Sequence, residues 1–578
     1  MHLENDTVGA YIVSRLEELG LRYIFGVAGD FVLRFMDYLV ASKKIDLITT
    51  CNELNAGYAA DGYGKVSGLS AVCVTYNVGG LSVLNAVVGA SAEMVPMIVL
   101  SGAPARSASR QTLIAHHTTG NLDLQSHIYQ SFCADSAILN DPATVANQID
   151  HALQKCIAQK QPVYIEIPVD IVDVKIGSPV HPLSLIAADS YLLGQEMKDM
   201  TTQIYQELCA AHSPVLLIGQ EIARFGLAQK LSELLDVSHL SFVSTMGAKG
   251  VIHENHPRFL GVYAGVLFCT CAQKYLESSD FVLNLGARLS DVDLTGKPQQ
   301  VFPGATINYN LTIFGENKHP NVRLSLFMDE LIKLFIDGRS ELLGNSLVPC
   351  SSPTVADNCK WWSYIQEKPL GSHCMEADSL KHTDPDSALV VSTFFRIVRH
   401  WLKETTVLIA DVGEALFSSV ELPVLKDCGY VSQPNYLSIG YSVPASLGVA
   451  LHYRNKKRVL TLVGDGAFQM TCQELSTITR NKLNPIILLI NNNGYAIERA
   501  IHDGPYNDLQ SWNYYELPKI FDEHFYTAKV RTSGQLVSAL KEAWSHTIGP
   551  SFIEVIIDPS SLSQPLMNLG YSLGMKMN

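Results

Sequence analysis

Short unbroken runs of Val, Ile and Leu recur along the chain, separated by stretches in which apolar residues return every three or four positions. The runs include Ala71–Thr75, Met97–Leu100, Val215–Ile218, Phe281–Leu285, Val459–Val463 and Ile486–Ile490. A strand with one solvated face alternates apolar and polar residues, so runs without alternation predict strands buried on both faces. Such strands alternating with helices predict an α/β fold of doubly wound domains with mainly parallel sheets. The acidic stretch Met1–Gly20 carries the helical period and predicts a helix.

Two polar stretches rich in proline interrupt this pattern. Residues 171–195 contain Pro179 and Pro182; residues 346–385 contain Pro349, Pro353, Pro369 and Pro385 with many Ser and His. They predict three domains, 1–180, 196–345 and 386–565, each large enough for its own core. The first and third are expected to be homologous. Pro162-Val163-Tyr164-Ile165-Glu166 leads to Asp170, and Pro550-Ser551-Phe552-Ile553-Glu554 leads to Asp558 with the same spacing, 388 positions later. Upstream of each, a strand with a glycine turn leads to a helix, a proline (Pro96 or Pro485) and another apolar strand. This is an internal repeat.

Charge narrows the range of partners. The 578 residues include 42 basic and 56 acidic side chains, a formal charge of −14. That field repels phosphate backbones and anionic lipid. The densest basic run, Lys456-Lys457-Arg458, is three residues long. Neither nucleic acid nor a membrane is expected as a partner, and no apolar run reaches the ~18 residues of a membrane-spanning helix. The 12 cysteines form no CxxC pair, and the Cys269-x-Cys271 pair has no His/Cys pair nearby to complete a zinc site. Reduced thiols and, without a basic-then-apolar leader, a cytoplasmic location are expected.

The chemistry concentrates in Val459–Glu498. A strand ends in Gly464-Asp465-Gly466; a helix is predicted next, with Phe468, Cys472, Leu475 and Ile478 on one face. A second strand, Ile486–Ile490, ends in Asn491-Asn492-Asn493-Gly494. Ligands of doubly wound sheets sit beyond the carboxyl ends of the strands, where both polar clusters lie. Glycines let the backbone approach a phosphate, and Asp and Asn oxygens are the hard ligands that magnesium takes while bridging a diphosphate. A nicotinamide fingerprint would need a third glycine at Gln469, and an EF-hand would need denser acidic spacing.

Gly464-Asp465-Gly466 with Asn491-Asn492, 26 residues beyond Asp465, resembles the thiamine-diphosphate-binding motif. The stretch to Trp512, with Ile501-His502-Asp503-Gly504-Pro505-Tyr506-Asn507, is similar to 2-oxo-acid decarboxylases of the pyruvate and indolepyruvate decarboxylase family. So are Thr50-Cys51-Asn52-Glu53-Leu54-Asn55-Ala56-Gly57-Tyr58-Ala59-Ala60-Asp61-Gly62 and His116-His117-Thr118-Thr119-Gly120.

The resemblance covers essentially the whole chain. It implies the thiamine-diphosphate-binding fold, with pyrimidine-binding, central and diphosphate-binding domains in that order. It also implies non-oxidative decarboxylation of a 2-oxo acid to an aldehyde and carbon dioxide through the ylid of thiamine diphosphate.

The same resemblance implies the roles of individual residues. Asp465, Asn492 and the Gly494 carbonyl would hold Mg2+. Glu53 would hydrogen-bond the pyrimidine and so activate the cofactor, and Ile439 would be the apolar wedge that bends it. Gly413, Leu437, Ser438, Gly464, Gly466, Ala467 and Tyr495 would complete the cofactor site. Asp30, His116, His117 and a buried Glu498 would form the acid/base set. Glu53 and Asp465 belong to different domains, and the family places the first domain of one subunit against the third of another. A homodimer or homotetramer with active sites at the dimer interface is therefore implied.

Ala28 stands where relatives usually have proline, Leu437 where they have glycine, and Leu416 where a pyruvate-preferring form has tryptophan. Val412, Leu416, Ile497 and Ile501 are expected to form an apolar substrate pocket, which would favour pyruvate, indolepyruvate, phenylpyruvate or branched-chain 2-oxo acids by side-chain fit. The middle block shows no polar constellation and reads as scaffold. A carboligase of the acetohydroxyacid synthase type, and more distantly a nicotinamide-dependent dehydrogenase, are the alternatives.

Overall fold

A computed structural model describes residues 4–577 except 111–113, 185–193, 269–270, 298–299, 310, 316, 320–321, 343–383, 404, 426–428 and 455. Most of the second proline-rich stretch, part of the first, and Cys269 lie outside the described residues. The divisions at 1–180, 196–345 and 386–565 therefore remain a proposal.

Three sheets follow one another along the chain. The first contains β1 (Tyr23–Gly26), β2 (Asp46–Thr49), β3 (Ser70–Val74), β4 (Met97–Ala103), β5 (Asp135–Ile138) and β6 (Val163–Pro168), in the order β2-β1-β3-β4-β6-β5. The third contains β14 (Thr406–Ala410), β15 (Gly429–Val431), β16 (Arg458–Gly464), β17 (Ile486–Asn491), β18 (Tyr526–Val530) and β19 (Ser551–Ile556), in the order β15-β14-β16-β17-β19-β18. All pairings in both are parallel. The two windings coincide strand for strand, and the repeated Pro162 and Pro550 motifs supply β6 and β19, which occupy the same place. The runs β3, β4, β16 and β17 are buried on both faces almost throughout, the reason their sequences do not alternate.

The middle sheet has seven strands: β7 (Pro214–Ile218), β8 (Ser241–Thr245), β9 (Phe259–Tyr263), β10 (Phe281–Leu285), β11 (Gly304–Asn308), β12 (Leu311–Phe314) and β13 (Asn317–His319). Their order is β13-β12-β11-β10-β7-β8-β9, parallel except for the meander β11-β12-β13 at one edge. At the N-terminus the expected helix runs Val8–Glu18, capped by Thr7 Oγ1 accepting from the Ala10 N–H. No described helix is long and apolar enough to cross a membrane.

The first and third domains meet through two helices, Glu53–Ser67 and Ser442–Tyr453. They cross so closely that a Cβ on Gly448 would lie 2.0 Å from the Ala59 carbonyl oxygen. Buried Asp61 accepts from Tyr441 Oη at 2.6 Å and pairs with Lys65 at 2.8 Å, pinning the crossing. The helix predicted beyond Asp465 is divided in two, Asp465–Thr471 and Leu475–Arg480, by a tight turn at Cys472–Glu474. The break follows Thr471, whose hydroxyl donates to the Gly440 carbonyl. Phe468, Cys472, Leu475 and Ile478 are nevertheless all buried.

Candidate active site

In the third sheet the chain leaves β14 for β15 on one side and returns to β16 on the other. The crevice beyond β14 and β16 is thus the topological switch point, where such sheets bind ligands. Asp411, just past β14, is fully buried. Its carboxylate accepts the N–H groups of Val412 (2.9 Å), Gly440 (3.0 Å) and Ser442 (2.8 Å), tying the β14 tip to the turn that carries Leu437–Gly440. Burial raises the Asp411 carboxyl above its ordinary value against those three bonds. Leu437 itself holds φ +56°, the left-handed conformation in which glycine is unstrained and a branched side chain costs about 1–2 kcal/mol.

The tips of β16 and β17 are joined by one side chain. Asp465 Oδ1 accepts from the Gly466 N–H at 2.8 Å and Oδ2 from the Gly494 N–H at 3.0 Å. Gly494, at φ +149°, has no room for a side chain: a Cβ there would lie 2.3 Å from both the Asn507 carbonyl oxygen and Arg499 Nη2. Arg499 braces this loop from outside, donating to the carbonyls of Asn492 (3.3 Å) and Asn493 (2.7 Å) and to Asp508 (2.7 Å).

These tips open into a cavity of about 570 Å³. It brings together Val412 and Gly413 after β14, Leu437 and Ile439 after β15, and Gly464, Asp465, Gly466 and Ala467 at the tip of β16. The segment after β17 adds Asn492, Gly494, Tyr495, Ile497, Glu498 and Ile501. Two residues expected here from the third domain are not on its wall. Leu416 is fully buried in an apolar cluster while its neighbour Phe417 lines the cavity, because successive residues of the helix Glu414–Ser419 point about 100° apart. The pocket assignment of Leu416 is corrected accordingly. Ser438 is turned to Tyr58 Oη (2.5 Å) and Asn85 Nδ2 (3.0 Å). Glu498 lines the cavity but is exposed rather than buried, since the mouth is open on its side.

The donor set fits a divalent cation carrying a diphosphate. Burial pushes the Asp465 carboxyl up to about 6 against its backbone hydrogen bonds and the nearby Arg499 charge, so a cation at this tip would relieve the cost of burying it. A Cβ on Gly464 would meet nothing within 4 Å, so open space lies directly against the strand tip. Asp465, buried Asn492 and the Gly494 carbonyl offer the oxygen ligands such a cation takes.

Residues 6–128 match the N-terminal TPP binding domain of thiamine pyrophosphate enzymes, 201–333 the central domain and 411–555 the C-terminal TPP binding domain. The chain belongs to the thiamine pyrophosphate enzyme family. This thiamine pyrophosphate enzyme is 34% identical to pyruvate decarboxylase 4 of Arabidopsis thaliana over 98% of its own length and 91% of the relative. It is 36% identical to the pyruvate decarboxylase of Aspergillus fumigatus, over 89% and 87% of the two chains. Pyruvate decarboxylase 1 of Oryza sativa subsp. japonica is 32% identical, over 98% and 91%.

A second group of expected residues stands at the carboxyl tips of the first sheet, and none of it lines the cavity. Asp30 follows β1, Glu53 follows β2 and begins its helix, and His116 and His117 follow β4. His116 Nε2 is hydrogen-bonded to Asp30 Oδ2, and His117 Nε2 stands 3.6 Å from Asp30 Oδ1. Burial works against the Asp30 charge, yet the bonds from His116 and the Phe31 N–H hold its carboxyl below the usual range. A Cβ on Gly79 would meet Glu53 Oε1 at 3.3 Å and the Thr75 methyl at 3.4 Å, and Thr75 Oγ1 donates to Asp30 at 3.4 Å. The homologous sheets thus each present a group of expected residues at the same end.

Several cavity residues escaped the sequence reading. Val292 and Thr295 come from the middle domain, Phe417 from the helix after β14, and Leu569 and Leu573 from the C-terminal helix Gln564–Met577. The helical spacing of Leu566, Leu569 and Leu573 is the signal that could mark a packed face, but it does not say what that face covers. Gly570, whose Cβ would lie 2.6 Å from the Ala500 carbonyl oxygen, lets that helix seat on Ala496–Ile501.

Proposed function

We propose that this thiamine pyrophosphate enzyme is a 2-oxo-acid decarboxylase, a carboxy-lyase releasing an aldehyde and carbon dioxide, with Mg2+ at Asp465, Asn492 and the Gly494 carbonyl. The observation that carries the reading is the Asp465 bridge between the β16 and β17 tips beside the space that Gly464 leaves open. When bound, thiamine diphosphate supplies the carbon acid and the electron sink for loss of carbon dioxide. Glu53 would hold a proton at the pyrimidine N1′, and Ile439 would set the cofactor's bend by apolar contact. Gly413, Leu437, Gly464, Gly466, Ala467 and Tyr495 would enclose the rest of it, with Ser438 bracing its turn through Tyr58.

Asp30, His116, His117 and Glu498 would move protons to the substrate-derived carbon and steady the departing aldehyde. Asp30, His116 and His117 sit with Glu53 on one half-site and Glu498 on the other; one chain alone does not bring the halves into one cavity. A homodimer or homotetramer with active sites between subunits would supply the missing juxtaposition. Val412, Phe417, Ile497, Ile501, Leu569 and Leu573 give the cavity an apolar wall that suits branched or aromatic 2-oxo acids as well as pyruvate. A cytoplasmic setting belongs to the same proposal. The dehydrogenase reading gains nothing, because Gln469 donates to the Gln510 carbonyl and Tyr514 Oη where a third glycine would be needed.

The test is removal and restoration of thiamine diphosphate and Mg2+, followed by a coupled aldehyde assay with pyruvate, branched and aromatic 2-oxo acids. Aldehyde release should require both components. Glu53→Gln should keep cofactor binding and lose most turnover; full activity in that variant would overturn the assignment.

A further inference from the structure

The acid/base residues of the first domain are arranged more tightly than pairwise proton exchange requires. Ligand atoms of Asp30, His116 and His117 all lie within 4.8 Å of one another. Among the described residues, no other three His, Cys, Asp or Glu side chains converge in this way. Both imidazoles present Nε2 to the two oxygens of the same carboxylate.

The backbone is bent to achieve this. His117 holds φ +61°, and Asn77, itself at φ +44°, donates its Nδ2 to the His117 carbonyl at 2.7 Å. This left-handed turn brings two successive rings together, with centroids 4.8 Å apart, where an extended chain would send them to opposite sides. Phe31 then backs both: it stacks on His116 at 4.7 Å and meets His117 edge-on at 6.0 Å. The three side chains are 63%, 36% and 46% exposed for His116, His117 and Asp30, so an ion reaches them from solution in this chain.

Two neutral imidazole nitrogens and one carboxylate form the donor set of a three-ligand zinc site with an open fourth position. Donors on a tetrahedral zinc, with bonds of about 2.0–2.2 Å, lie roughly 3.4 Å apart. The observed separations need only a side-chain adjustment to reach that. Magnesium, which takes oxygen ligands in an octahedron, is a poor match for this set.

We propose that Asp30, His116 and His117 form a binding site for a zinc-class transition-metal ion, distinct from the Asp465 site, and that occupancy switches the enzyme off. The binding stands on geometry alone. The switching rests on the acid/base reading above, since a coordinated imidazole has given its nitrogen lone pair to the metal and cannot accept a proton there.

The experiment uses holoenzyme saturated with thiamine diphosphate and excess Mg2+, titrated with Zn2+ in equilibrium dialysis and with Co2+ as a spectroscopic probe. One Zn2+ per chain should bind, and Co2+ should show the intense visible bands of a tetrahedral N/O site. Aldehyde release should fall with the binding midpoint and return when a zinc-selective chelator is added with Mg2+ in excess. His116→Gln, His117→Gln and Asp30→Asn should each weaken binding by about tenfold or more while keeping the thermal unfolding midpoint. Unchanged binding in all three variants, or Zn2+ that binds only by displacing Mg2+ and releasing cofactor, would overturn the site. Stoichiometric binding with undiminished turnover would overturn the switch. Absence of aldehyde release before any zinc is added would instead count against the decarboxylase reading.

Discussion

Glu474 in the third domain accepts a hydrogen bond from Asn55 Nδ2 at 2.7 Å, two residues into the helix that Glu53 begins. The same carboxylate oxygen receives the Cys51 N–H at 3.3 Å, and Arg480 donates to the Thr49 carbonyl. The turn that presents Glu53 is therefore docked onto the third domain of its own chain, at a carboxylate that is fully buried.

Removing that acceptor should disturb both stability and Glu53. Glu474→Ala leaves a buried amide donor unpaired, at a cost of about 1–3 kcal/mol, and frees the start of the helix. Thermal unfolding should shift downward, and kcat should fall about tenfold with little change in KM, because the lost interaction positions a group rather than binding substrate. Glu474→Gln, which keeps an acceptor for Asn55, should recover part of kcat. An unchanged kcat in Glu474→Ala would show that Glu53 does not depend on this contact.

Arg499 should act on the proposed cation site through the backbone. Its guanidinium engages the carbonyls of Asn492 and Asn493, the residues flanking the loop that ends at Gly494. Arg499→Met should weaken cation binding by about 10–100-fold, the usual effect of losing a partner that orients a metal's ligands. Equilibrium dialysis with Mn2+ measures it, and Arg499→Lys should restore only part, since an ammonium cannot span two carbonyls as a planar fork does.

Phe417 and Leu416 should behave differently although adjacent. Phe417→Ala enlarges the cavity and should raise turnover of phenylpyruvate relative to pyruvate by about tenfold, within the 1–3 kcal/mol that pocket fit supplies. Leu416→Trp forces a larger ring into a fully buried cluster and should cost about 1–3 kcal/mol of stability. Substrate competition assays and thermal unfolding separate the two outcomes.

Glu166 on β6 supplies a pH test of the first domain. Burial raises its carboxyl to about 7, although a 2.6 Å bond from Tyr164 Oη opposes the shift. Between the ordinary value near 4.5 and about 7 the folded state keeps a proton that the unfolded chain has lost, so stability falls as pH rises across that window and levels off above it. Glu166→Gln should flatten this slope and raise the unfolding midpoint more at pH ~8 than at pH ~5, by up to ~3 kcal/mol of stability. Parallel pH profiles for wild type and variant would contradict it.

Much of the fold was legible because burial on both faces leaves a local signature. The strands announced by Val459–Val463 and Ile486–Ile490 appear as β16 and β17, and the Pro162 and Pro550 repeat appears as the shared winding of two sheets. The placement of Asp465, Asn492 and Gly494 together at two strand tips was legible too, because a strand tip and the turn after it are contiguous in sequence.

What the chain's order of residues determined was which segments become strands, which strand tips carry Asp, Asn and Gly, and which imidazoles and carboxyls lie in the turns beyond them. Tertiary structure alone decided that Phe417 and not Leu416 faces the cavity, that Leu569 and Leu573 line it, and that the turn presenting Glu53 docks on Glu474 of the third domain. Those outcomes depend on the rotation of a helix about its axis and on contacts between residues hundreds of positions apart. Local pattern carries the period of an element, but packing against its neighbours sets the direction in which each side chain finally points.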